Sequence, residues 1–201
     1  MEVSKNPVSS RNANFGMALR LSQGINASDL RKYVENESIV QNENKAIKGL
    51  KNVIKKQVKN NHFDIFFVRN NAGDEFQLRP ITSRANELLK DVQSKGQEGL
   101  YDDKVTKIQG KLTEIANNPV KGIFGKFSQS VKTIFYDFKM KMVLRDSKNI
   151  LPDSLRIADS RATELEKIIL KNDKIDSEIS KELSKNPKVL PADLDETFIQ
   201  W

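Results

Sequence analysis

His62-Phe63-Asp64-Ile65-Phe66-Phe67-Val68-Arg69-Asn70-Asn71-Ala72-Gly73-Asp74-Glu75-Phe76-Gln77-Leu78-Arg79-Pro80-Ile81 is the stretch on which the fold turns. Its first half is rich in aromatic and β-branched residues, and Phe63, Ile65 and Phe67 alternate against Asp64, Phe66 and Val68. Such two-residue periodicity predicts a strand with one face turned to a core. Asn70 to Asp74 is a turn cluster, and Glu75 to Ile81 sets Phe76 and Leu78 on one side. Together they predict a β-hairpin over 62–81, closed by Pro80, which cannot donate a ladder hydrogen bond.

A hairpin is marginal alone, so partners are sought on both sides of it. Upstream, Phe15, Met17, Leu19 and Leu21 alternate with Gly16, Ala18 and Arg20, which predicts a third strand over 15–21, antiparallel to an edge of the hairpin. The segment Asn14-Phe15-Gly16-Met17-Ala18-Leu19 resembles the opening of small uncharacterised proteins from uncultured gut bacteria. The resemblance covers six residues; it implies a bacterial source and carries no function or site residue.

The rest of the chain reads as helix. Ser28-Asp29 marks a helix start with Leu30, Tyr33 and Val34 on one face. A polar interval at Gln41–Asn44 is either a break or an exposed turn. From Lys45 the stripe Ile47, Leu50, Ile54 and Val58 recurs at spacings of three and four. Ser83 opens a helix holding Leu88, Leu89 and Val92. Residues 103–117 form another, on Val105, Ile108, Leu112 and Ile115, stopped by Pro119. Residues 120–145 form a further helix, begun loosely because of Gly122 and Gly125. Beyond Pro152, residues 154–184 read as one long charged helix with an apolar stripe from Leu155 to Leu183. The expectation is a helix-dominated α+β fold, a small antiparallel sheet packed by helices. It forms one domain over 15–186, between a flexible segment 1–14 and an extended tail 187–201.

Composition narrows the function. Of 201 residues 37% are hydrophobic and 30% charged, and there is no cysteine and a single histidine. No apolar run approaches the roughly twenty residues of a membrane helix, and the N-terminal stretch lacks the apolar core of a signal peptide. These features predict a cytoplasmic protein without an integral membrane segment, with non-classical secretion left open. Absence of cysteine removes disulfides, thiolate nucleophiles and zinc–thiolate sites together. No phosphate-cradling glycine loop, dinucleotide fingerprint or nucleophile elbow is present. The balance is against an enzyme, and no cofactor, metal or catalytic residue is expected.

Charge is uneven. Residues 1–60 carry eleven Lys/Arg against five Asp/Glu, residues 101–152 ten against five, and residues 153–201 eight against eleven. Lys48, Lys51, Lys55 and Lys59 share one helix face, about a hundred degrees round from the apolar stripe. Such a row can neutralise phosphates, which makes nucleic acid one candidate partner; a solvated flank is the blander reading and the favoured one. Along 120–145, Lys121, Lys126, Lys132, Lys139, Lys141 and Arg145 surround Phe124, Phe127, Phe135, Tyr136 and Phe138. Basic residues among aromatics can stack on single strands or lay a helix on an anionic membrane. The plainest account is a core-facing stripe of Phe124, Phe127, Val131, Ile134, Phe135 and Phe138 with snorkelling lysines.

Single residues say less. His62, two positions before Asp64, reads as a surface histidine. Asp64, Asp74, Glu75 and Gln77 fit a two-metal nuclease poorly, because Gln77 stands where a lysine is needed. In the tail, acids precede Phe198, Ile199 and Trp201, so that Leu194, Phe198, Ile199 and Trp201 form a candidate partner-docking segment. The leading expectation is a non-catalytic protein that acts on a protein partner through helical surfaces and this tail. Nucleic-acid binding through the basic helix 45–59 is the alternative. A secreted effector, suggested by the polar N-terminus, comes third. The sequence does not set the oligomeric state.

Overall fold

The hairpin forms where the alternation places it. In the computed structural model, which describes residues 19–71 and 73–185, β2 (Phe63–Asn70) and β3 (Gly73–Pro80) pair antiparallel from Phe63↔Pro80 to Asn70↔Gly73. Gly73 closes the turn with φ near +128°, a conformation that side chains with a Cβ resist. Arg69 and Asp74, opposite each other in the ladder beside the turn, clamp the turn end of the hairpin with two bonds of 2.8 and 3.0 Å.

β1 (Leu19–Leu21) joins β2, giving the order β1-β2-β3, but it runs parallel to β2 and not antiparallel as expected. The reason lies in the connection. Between the two strands the chain forms α1 (Ala27–Glu37) and α2 (Glu43–Gln57), a crossover long enough to return it to the starting end of the sheet. The sheet is therefore mixed.

Local signals set the helix ends. Asn26, two residues before the expected start, caps α1 in a reciprocal box with Asp29. Asn42 caps α2, so the polar interval is a true break. Thr82 caps α3 (Ser83–Ser94), one residue earlier than expected. Then follow a short 3₁₀ turn at Glu98–Tyr101, α4 (Lys104–Asn117), α5 (Ile123–Val143), a second 3₁₀ turn at Ser147–Ile150 and the long α6 (Asp153–Lys185).

The core lies between the sheet and the helices. Phe63, Ile65 and Phe67 of β2 are fully buried, as are Leu155, Ala162, Leu165 and Ile169 of α6 or nearly so. Leu30 and Val34 of α1, with Ala85 and Val92 of α3, complete it. Tyr33, Phe67 and Phe76 form an aromatic triangle with centroids 4.8–5.8 Å apart. The side of α2 that enters the core is rotated by one residue from the expected stripe. Ala46, Gly49, Leu50, Val53 and Gln57 are buried while Val58 is exposed. At Gly49 only glycine fits, because the second 3₁₀ turn comes very close: a Cβ there would collide with the Ser147 carbonyl oxygen. Past Ile169, α6 leaves the core, and its distal apolar residues Leu170, Ile175 and Ile179 are exposed.

Candidate functional site

The reading of residues 120–145 as core-facing is overturned. Among the described residues of α5 none is buried; in α4 only Val105 and Ile108, near its start, are, and neither joins the main core cluster. The helix instead folds back on α4 as a hairpin that stands off the body.

The turn is dictated locally. Pro119 cannot continue α4, and Gly122, with φ near +87°, lets the chain reverse. Gly125 leaves room for Val120, whose Cγ1 would lie 2.5 Å from any Cβ there. Gln129 staples the turn, donating to the Ile115 carbonyl at 2.5 Å and accepting from the Val120 amide at 3.3 Å. On the α4 side Lys111 donates to Glu114 at 2.7 Å; this bond holds the Glu114 carboxyl below its ordinary value and raises Lys111 in return.

What distinguishes α5 is which face it gives away. Gly125, Gln129, Thr133, Tyr136, Met140 and Val143 are half-buried on the side toward α4, a mixed and largely small or polar set. Its large apolar residues face the opposite way. Phe124, Phe127, Phe135 and Phe138 are 91%, 69%, 58% and 62% exposed. Ile123, Val131, Ile134 and Met142 lie among them, also exposed. At 100° per residue the eight occupy an arc of about 120° along a helix about 30 Å long. Lys132 and Lys139 border this arc on one side, Lys126 and Lys141 on the other, all exposed. Lys139 Nζ sits 5.9 Å from the Phe135 ring centroid. A groove of about 660 Å³ between α4 and α5, lined by Ile115, Val131, Phe135 and Tyr136, opens onto the edge of the arc.

Charge is concentrated in the same place. Residues 104–145 carry nine Lys/Arg and two Asp/Glu, a surplus of seven that accounts for the whole +7 of the chain. The rest of the molecule is electrically balanced.

The root of the hairpin is fixed by ion pairs that the sequence reading missed. Arg156, at the start of α6, has a side chain 2% exposed. It donates to Asp103 Oδ2 at 2.7 Å, Asp153 Oδ1 at 2.6 Å and the Leu151 carbonyl at 2.8 Å. Asp103 in turn caps α4 through the Thr106 amide, 2.9 Å away. Arg161 grips Asp102 at 2.7 Å, and Lys45 of α2 reaches the Leu144 carbonyl at 2.7 Å. A cleft of about 730 Å³ lies at this junction, lined by Lys56, Asp103, Met142, Arg156 and Asp159. Its inner charges are already committed: Lys56 pairs with Asp159 at 2.7 Å, and Gln57 donates to the same carboxylate.

The residues singled out from sequence fall elsewhere. Lys48, Lys51, Lys55 and Lys59 are exposed along one side of α2. The first three line a shallow hollow beside Arg31, which is itself paired with Glu43. His62 Nδ1 lies 3.0 Å from Thr82 Oγ1, whereas Asp64 is buried and paired with Arg20 at 2.5 Å, so the two serve different contacts. Asp74 answers Arg69, and Glu75 accepts from Asn70 and Gln77. Among the described residues no group of three His, Cys, Asp or Glu could hold a metal ion, and no helix is long and apolar enough to cross a membrane. Leu194, Phe198, Ile199 and Trp201, the segment 1–14 and the tail 187–201 lie outside the described residues. Compared with protein-family models, curated proteins and solved structures, the chain matches none.

Proposed function

We propose that this chain is a non-catalytic binding protein whose working surface is the exposed face of α5, presented on the α4–α5 hairpin to an anionic occupant. The observation that carries this reading is the outward apolar arc, with its four phenylalanines between 58% and 91% exposed. Folded chains seldom leave so continuous an apolar surface in water unless something covers it in use. Burying Phe124 or Phe127 against an occupant gains about 1.5–3 kcal/mol each. The surplus of positive charge on the same hairpin selects the sign of that occupant. A second copy of the chain fits poorly, because pairing two such faces would set lysines against lysines.

The test is the fourfold variant F124S/F127S/F135S/F138S of the full chain. A docking face contributes little to the fold, so each substitution is expected to change stability by no more than about 0.5 kcal/mol. Circular dichroism and the thermal midpoint should stay near those of the parent, while binding of an apolar-surface dye drops. A loss of several kcal/mol would mean that the face belongs to the protein's own packing, and the reading fails. A concentration-dependent dimer, seen by sedimentation and abolished by the variant, would replace the anionic occupant with a second copy.

A further inference from the structure

Resting on the docking face just described, we infer that its occupant is the surface of an anionic lipid bilayer, on which α5 lies flat. Three features of the face point there and away from other anions. First, the arc is convex and almost free of polar atoms. Between Ile123 at one margin and Phe135 at the other, within the helix, only Lys141 interrupts it, and only at the edge. A protein partner that buried such a ridge would ordinarily meet it with hydrogen-bonding groups around a core; here the margins offer four lysines, the hydroxyls of Ser128 and Ser130 and a single carboxylate, Asp137, which stands between Lys126 and Lys141. Second, cations stand on both long sides of the arc: Lys132 and Lys139 on one, Lys126 and Lys141 on the other. A helix lying in the headgroup layer meets that arrangement, its phenylalanines sinking about 5–10 Å and its lysines level with the phosphates. Third, Phe124, Phe127 and Phe138 are interleaved with Ile134 and Met142 on a ridge, and of the phenylalanines only Phe135, at its edge, reaches the groove beside α4. Stacking on a nucleic-acid strand calls for a basic channel with spaced rings, which this is not.

The hairpin also has the right support for this role. α4 backs α5 on the side away from the arc, so the helix is already formed before it meets a surface and loses little order in binding. Lys104 and Lys107, exposed on α4, extend the positive field beyond the inserted face, whereas Lys111 is offset by Glu114.

The experiment is flotation of the full-length protein with vesicles of phosphatidylcholine alone and with vesicles in which about a third of the lipid is phosphatidylserine. Binding to the anionic vesicles is expected to exceed that to neutral ones about tenfold or more, and to weaken as salt is raised. Two variants should each lose about tenfold or more: F124S/F127S/F135S/F138S, and K126Q/K132Q/K139Q/K141Q. A third, F127W in a W201F background, reads insertion directly, because its emission should shift to the blue on anionic vesicles only. Equal binding to neutral vesicles, or full binding by either fourfold variant, overturns the inference. So does absence of vesicle binding by the intact protein. If in that case the phenylalanine variant keeps its thermal midpoint, the docking reading survives with a protein occupant. If that variant unfolds, the docking reading has failed first. Tight binding to a single-stranded oligonucleotide in place of vesicles would move the occupant to nucleic acid.

Discussion

Replacing Arg156 with Met should loosen the hairpin's root more than any other single change in this region. The guanidinium is 2% exposed and shared among Asp103, Asp153 and the Leu151 carbonyl. These acceptors are not equal. The Asp153 side chain is 59% exposed and returns to water once released, so its share is small. The Asp103 side chain is 10% exposed and would be left buried with its charge unanswered. Removing one partner of a buried pair costs about 3–5 kcal/mol, a large part of the roughly 5–15 kcal/mol that holds a domain together. Urea unfolding followed at 222 nm should show the midpoint falling by about 1 M or more, given slopes of about 1–3 kcal/mol/M. D103N should cost less, since its amide still offers an acceptor, and the double variant R156M/D103N should cost less than the two single losses added, by about 1 kcal/mol or more. A midpoint shift worth under about 1 kcal/mol, or strictly additive losses, would show that the Arg156–Asp103 pair does not hold α4 to α6.

Two further outcomes follow from local geometry. Gly49→Ala puts a methyl group into the Ser147 carbonyl, and because that neighbour is backbone, the 3₁₀ turn must move; a loss of about 1–3 kcal/mol is expected by thermal unfolding, and an unchanged midpoint would contradict the close packing. Asp74, held below its usual carboxylate value by its hydrogen bonds and charge interaction with Arg69, contributes stability that is present above the unfolded value near 3.8. That contribution is lost as pH falls through the lower folded value. Asp74→Asn should flatten that part of the stability–pH curve, and a curve of unchanged slope there would place the acid sensitivity on other groups.

The hairpin and α6 were legible because their evidence is local: alternation from Phe63 to Val68, and one apolar stripe from Leu155 onward. The direction of β1 was not, since a three-residue strand reads the same either way and its pairing depends on where two intervening helices deliver it. In α2 the reading followed the largest residues, while close approach of a neighbouring backbone selects glycine at position 49 and so turns the buried face by one residue. The α5 face was misassigned for a more general reason. An amphipathic period states that one side of a helix avoids water, not whether the cover comes from the same chain. Two signals in the sequence do bear on it. One is the crowding of the entire charge surplus into 104–145. The other is the second usable face at Gly125, Gln129, Thr133 and Tyr136, which satisfies α4 without spending any phenylalanine.

The hairpin enters and leaves the body at a single place, between Asp103 and Leu144, and beyond its buried root at Val105 and Ile108 none of its residues up to 143 is buried. In evolutionary terms such a segment is nearly free cargo. It can lengthen, shorten or be traded for another insertion while the mixed sheet and α6 go on folding as before. Relatives of this protein could thus keep the body and change what the hairpin touches, so that searches anchored on α5 would miss them while searches anchored on β2, β3 and α6 would not.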